Sequence, residues 1–128
     1  MLKDLKLSAT NSTPEVLFSP KSGTFQIKGR SYPENVLSFF QPVIDWLAEY
    51  IKEPNDITEF DFYLEYFNSS SARLFVEIII QLEEIIKTGK KVYVKWYYNS
   101  NDKLMKERGE EIKNVVYLPF EVVENNIS

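Results

Sequence analysis

Between Ile57 and Ile86 the spacing of apolar residues changes once, from every second position to every third or fourth. From Ile57 to Phe67, Phe60, Phe62, Leu64 and Tyr66 alternate with Glu59, Asp61, Tyr63 and Glu65. That is the period of a strand with one dry face and one wet one. After Asn68-Ser69-Ser70-Ser71-Ala72-Arg73, the residues Leu74, Phe75, Ile78, Ile79, Leu82, Ile85 and Ile86 follow at helical spacing. Thr88-Gly89-Lys90-Lys91 then supplies the glycine and positive charge of a helix end. A strand passing straight into a helix commits the chain to helix packed on sheet, and here it leaves three hydroxyls at the seam.

The seam admits two readings. Free N–H groups and the helix dipole favour an anion such as a phosphate at this point. Asn or Ser is also what any helix start uses as a cap. Phosphorylation of a serine here adds roughly -1.5 to -2 charge and three acceptor oxygens where a helix tolerates them, whereas a partner packed over the spot meets repulsion and desolvation. The cost falls on the complex and not on the fold, which suits a switch.

The flanking segments repeat the pattern. Leu5, Leu7 and Ala9, then Val16 and Phe18, then Phe25 and Ile27 read as short strands, with turns at Asn11-Ser12-Thr13-Pro14 and Ser19-Pro20-Lys21-Ser22-Gly23. Gly29 to Asn35 is expected to open a helix with Pro33 in its first turn. Its stripe is Val36, Phe39, Phe40, Val43, Trp46, Leu47, Tyr50 and Ile51, and Pro42 inside it predicts a kink or a break and restart. Val92, Val94, Trp96 and Tyr98 form another one-sided strand, and Lys103 to Lys113 a weaker helix with Leu104, Met105 and Ile112 as its apolar contacts and Gly109 within it. A last strand alternates through Val116, Leu118, Phe120 and Val122, with Pro119 placing it toward a sheet edge, and Glu124 to Ser128 reads as a frayed tail.

The expected fold is therefore α/β in an α+β-like arrangement, a single domain over residues 1–128: a mixed sheet of about six strands with helices mainly on one face. Strands covered on both faces read as continuous apolar runs, and these do not. The open face would carry Tyr63, Tyr93, Tyr97 and Tyr117.

Composition narrows the chemistry. With no Cys and no His, disulfides, thiolate or imidazole metal sites, cysteine nucleophiles and imidazole-based triads are excluded. A net charge of -4 argues against nucleic acid, whose binding rests on neutralising phosphates. No apolar run reaches the roughly 18 residues of a membrane span, and the N-terminus lacks a secretory h-region, so the expected compartment is the cytoplasm. Asp45 with Glu49, and Glu83-Glu84, suit solvated helix faces better than acid/base pairs or metal ligands. Nothing points to an enzyme, a cofactor or a metal.

Several runs resemble the SiaC family of bacterial biofilm-regulation phosphoproteins: Ser12-Thr13-Pro14-Glu15-Val16, Gly29-Arg30-Ser31-Tyr32-Pro33-Glu34-Asn35, and Phe39-Phe40-Gln41-Pro42-Val43-Ile44-Asp45-Trp46-Leu47. Tyr66-Phe67-Asn68-Ser69-Ser70-Ser71 and Leu118-Pro119-Phe120-Glu121 fit as well. The resemblance implies a STAS-like fold, akin to anti-sigma-factor antagonists. It implies a partner-switching adaptor whose unmodified form binds and activates a diguanylate cyclase in c-di-GMP signalling. A Ser/Thr protein kinase and a PP2C-type phosphatase would set its state. By position the phosphoacceptor is Ser69, with Ser70 and Ser71 as alternates, and the partner-binding surface is Asn68, Ser69, Ser70, Ser71 and Arg73. Two departures stand out: the family acceptor can be threonine, and the STAS site usually has aspartate where Asn68 stands. The rival expectation is a constitutive protein- or ligand-binding module using the tyrosine face.

Overall fold

The computed structural model describes residues 2–125 of the 128-residue chain. Strands β1 (Leu5–Leu7), β2 (Glu15–Ser19) and β3 (Thr24–Ser31) are followed by helix α1 (Val36–Tyr50) and strand β4 (Ile57–Phe67). Helices α2 (Ser69–Leu82) and α3 (Glu84–Lys87) lead to β5 (Lys91–Asn99), and α4 (Lys103–Lys113) leads to β6 (Phe120–Asn125). The six strands form one sheet in chain order, antiparallel from β1 to β3 and parallel from β3 to β6. Three successive crossovers step the same way across the sheet. Right-handed connections then put their helices on the same face.

The packing agrees with that rule. Phe40 of α1 meets Phe75 of α2 with ring centroids 5.7 Å apart, and Phe75 meets Phe62 of the sheet at 5.4 Å. Trp96 of β5 is fully buried and its Nε1 donates to the Met105 carbonyl of α4 at 3.0 Å. A Cβ at Gly109 would overlap the Trp96 indole. The glycine that weakens α4 in the sequence is thus what lets the helix settle on the ring.

Several boundaries differ from the sequence expectation. Gly29 to Ser31 does not open a helix but ends β3, because Arg30 and Ser31 pair with Tyr66 and Phe67 of β4. The helix starts after Asn35, whose side chain accepts from the Ser38 amide at 3.0 Å, so Pro33 precedes the cap. Pro42 does not break α1, which continues through it as one helix with Pro42 on the exposed side. The long helix after the serines divides at Glu83, and Ile86, placed in its stripe by spacing, is exposed.

Two further corrections bear on function. The β3–β4 register slips between Gly29 and Arg30, where Leu64 and then Tyr66 are the opposing residues, so Glu65 is the extra residue of a bulge. A one-residue slip exchanges the faces of everything beyond it. Tyr66, expected to point with Phe60 and Phe62, is therefore exposed, and Phe67 packs inward on Phe75 and Trp96 at 5.4 and 5.6 Å. Gly29 has φ +114, a conformation other residues rarely adopt, at the slip itself. The last strand begins at Phe120 and not Val116, since the Pro119 carbonyl takes the Val94 amide and the residues before it form a loop. It is an edge strand, as Pro119 suggested. Glu124 and Asn125 belong to it, while the rest of the expected frayed tail lies outside the described residues.

Candidate functional site

The seam between β4 and α2 is held by backbone and side chain together. Asn68 is extended, with φ -91 and ψ 174, and its Oδ1 accepts the Ser71 amide at 2.9 Å as the N-cap of α2. Its own amide donates to the Ser31 carbonyl at 3.1 Å, tying the helix start to the end of β3. No acidic residue occupies the first turn of α2, so the positive end of the helix has no carboxylate of its own.

The three serines have different fates. Ser69 and Ser70 are exposed, whereas Ser71 is fully buried. The Ser71 hydroxyl lies 2.7 Å from that of Ser31, itself fully buried, and donates to the Ser31 carbonyl at 3.0 Å. A hydroxyl has one proton, so the Ser31 O–H must be the donor of the shared bond. Ser71 is thus engaged on both sides, and a kinase reaches it only if the start of α2 opens. Arg73 is exposed on the same helix.

Ser69 lies on the rim of a cleft of about 630 Å³ between the start of α2 and α4. Tyr66, Ala72, Leu104 and Ile112 supply apolar wall, while Glu65, Asp102, Arg108 and Glu111 supply charge. Leu104, expected as an apolar contact of α4, is exposed there, and Met105 and Ile112 carry the packing. Arg108 pairs with Glu111 one turn along α4. The bulged Tyr66 meets Tyr32 edge-on at 5.7 Å, and the Arg30 guanidinium stands 5.7 Å from the Tyr32 ring. Asn68 and Ser69 thus line this cleft together. Arg30, Tyr32, Arg108 and Glu111 were not anticipated here, and Leu104 was expected only as a packing contact. Nothing local marks them, because they arrive from strand and helix segments distant in the chain.

Of the four tyrosines expected on the open face, three lie on strands and Tyr117 does not. Tyr63 and Tyr97 are paired across β4 and β5 and stack at 4.4 Å with planes 8° apart. Burial pushes the Tyr63 phenol up to about 12, with the Asp61 carboxylate adding to the shift, and burial raises that of Tyr97 as well. Tyr93 sits four residues up the strand, and Tyr117 is in the loop before β6, 92% exposed, its amide bound by Glu83 at 2.6 Å. Asp61, between these groups, is half-buried with its Oδ1 lacking a hydrogen bond. Desolvation raises its pKa, partly offset by Lys95.

The sequence model for the SiaC family of regulatory phosphoproteins matches residues 7–125. The chain belongs to the SiaC family. An uncharacterized protein of Pseudomonas aeruginosa is 31% identical over 121 residues, 94% of this chain and 96% of that protein. The fold is shared with apo-SiaC of the same organism, at TM-score 0.85 and 32% identity over 94% of this chain and 98% of that one. It is shared also with SiaC in a complex described as diguanylate cyclase SiaD with its activator SiaC, at TM-score 0.88 and 31% identity over 95% and 100% of the two chains. The SiaC architecture accounts for the mixed six-stranded sheet and its single layer of helices. Among the described residues no helix is long and apolar enough to cross a membrane.

Proposed function

We propose that this chain is a non-enzymatic, cytoplasmic partner-switching adaptor that, unmodified, binds and activates a diguanylate cyclase. The observation that carries the reading is the likeness to SiaC bound to the cyclase it activates, which runs through all but a few residues of both chains. Asn68, Ser69, Ser70 and Arg73, with the cleft beside them, form the contact surface. Ser69 is the phosphoacceptor: it is exposed, it is the first residue of α2, and it borders apolar wall that a partner can cover. Ser70 is the exposed alternate, and the burial of Ser71 weighs against it.

A Ser/Thr kinase moves the γ-phosphoryl group of ATP to the Ser69 hydroxyl, releasing ADP and a proton. A PP2C-type phosphatase returns the serine by hydrolysis to inorganic phosphate. The dipole of α2 accommodates the new charge at about 0.3–1 kcal/mol in its favour, so the fold survives modification. A partner seated over Ser69 would have to desolvate a phosphate of charge about -1.5 to -2, so the complex does not.

Phosphosite mapping by mass spectrometry after kinase treatment should find Ser69. Ser69→Asp should stay folded and lose cyclase binding, while Ser69→Ala should bind and resist release by the kinase. Modification confined to positions outside Ser69 and Ser70, or equal cyclase affinity of the two variants, defeats the reading.

A further inference from the structure

We propose that phosphorylation of Ser69 is read within the molecule, by Arg108 leaving Glu111 and crossing the cleft to the new phosphate. The inference rests on Ser69 being the modified residue and supplies the step by which modification changes the surface. Ser69 and Arg108 line the same cleft from opposite helices, and Arg108 is the only cation among its lining residues. Its partner Glu111 is a neighbour on the same helix, and both side chains are about half exposed. Exposed pairs of that kind contribute little, so Arg108 exchanges partners readily. A phosphate offers higher charge and several acceptor oxygens to a guanidinium fork that matches them in pairs.

The first turn of α2 carries no carboxylate that would compete for Arg108 or repel the phosphate. Asp102 is occupied, its Oδ1 accepting the Met105 amide at 3.0 Å. Glu65, close in sequence to Ser69, adds negative charge on the modified side of the cleft, and Glu111 is the singly charged competitor that a phosphate of about -1.5 to -2 has to displace. A guanidinium drawn toward Ser69 lays its aliphatic stem over the apolar wall. Leu104, 57% exposed in the unmodified protein, and Ala72 then lie beneath it. The phosphate would thus withdraw the apolar part of the docking surface as well as adding charge to it.

Arg73 is the competing cation, one turn after Ser69 on the same helix, but it does not line the cleft. The test is a phosphate titration by ³¹P NMR on full-length protein carrying phosphoserine installed at position 69 during synthesis. In the otherwise unaltered chain the second phosphate ionisation should lie lower by about 0.5 unit or more than in Arg108→Gln, because a nearby cation favours the dianion. Arg73→Gln should leave it unchanged. Equal titrations with and without Arg108, or a shift that follows Arg73 alone, overturn the proposal. Failure of a kinase to modify Ser69 would overturn the function proposed above, and this measurement on a defined phosphoprotein does not depend on it.

Discussion

The Ser31–Ser71 hydroxyl pair makes an unequal prediction for two substitutions that look alike. Ser71 donates to the Ser31 carbonyl, and Ser31 donates to the Ser71 hydroxyl. Ser71→Ala therefore strands a buried O–H donor at Ser31, at a cost of about 1–3 kcal/mol. Ser31→Ala leaves the Ser71 hydroxyl still donating to the backbone carbonyl at position 31 and should cost about 0.5–1.5 kcal/mol, the net value of one hydrogen bond. In the double variant no donor is stranded, and the carbonyl keeps the Asn68 amide at 3.1 Å. Its destabilisation should be no greater than that of Ser71→Ala alone, giving a coupling of about 1 kcal/mol or more between two contacting sites. Urea unfolding at equal slope reads this out as a midpoint shift of about 1 M for Ser71→Ala, given slopes of roughly 1–3 kcal/mol/M. Equal single effects that add to within about 0.3–0.5 kcal/mol would refute the assigned proton arrangement and the account of Ser71 as a structural hydroxyl.

Gly109→Ala should lower Tm, because overlap with the Trp96 ring costs about 1–3 kcal/mol and outweighs the gain of about 1 kcal/mol in helix propensity; a raised Tm by calorimetry would contradict the close approach of α4 to β5. Asp61 has a folded pKa above its unfolded value of 3.8. Its contribution is thus present below that value and lost as pH rises through the folded one. Asp61→Asn should therefore flatten the fall in stability just above the ordinary carboxylate range and be the more stable protein at neutral pH. Urea titrations across that range, giving the same pH slope for both proteins, would count against a desolvated carboxylate on the open face.

The parts of the site legible in the sequence are those written in the spacing of neighbours. The strand of Phe60, Phe62 and Leu64, the stripe of Leu74, Phe75, Ile78 and Ile79, and the seam of Asn68 and Ser69 between them are found where the periods change. The Lys103–Lys113 helix was legible too, although its glycine argued against it until Trp96 explained the glycine. The identity of the cap, which of three serines is buried, and the face of Tyr66 were not. A regular alternation carries Tyr66 inward, and only the pairing of Arg30 with it, one residue out of step, turns it toward the cleft.

The chain by itself determined that one face of each strand and one stripe of each helix must be dry, since burial of apolar area dominates folding and its period is local. That was enough to predict helices layered on one side of a mixed sheet with hydroxyls at a strand-to-helix seam. Tertiary structure alone decided which hydroxyl is engaged, which is offered to solvent, and which arginine lines the same cleft. Those choices depend on directional contacts short enough to be made or missed by a single residue of register. Ser31 meets Ser71 across 40 positions of chain, and Arg108 reaches the cleft from a different helix, so no pattern of neighbours encodes them.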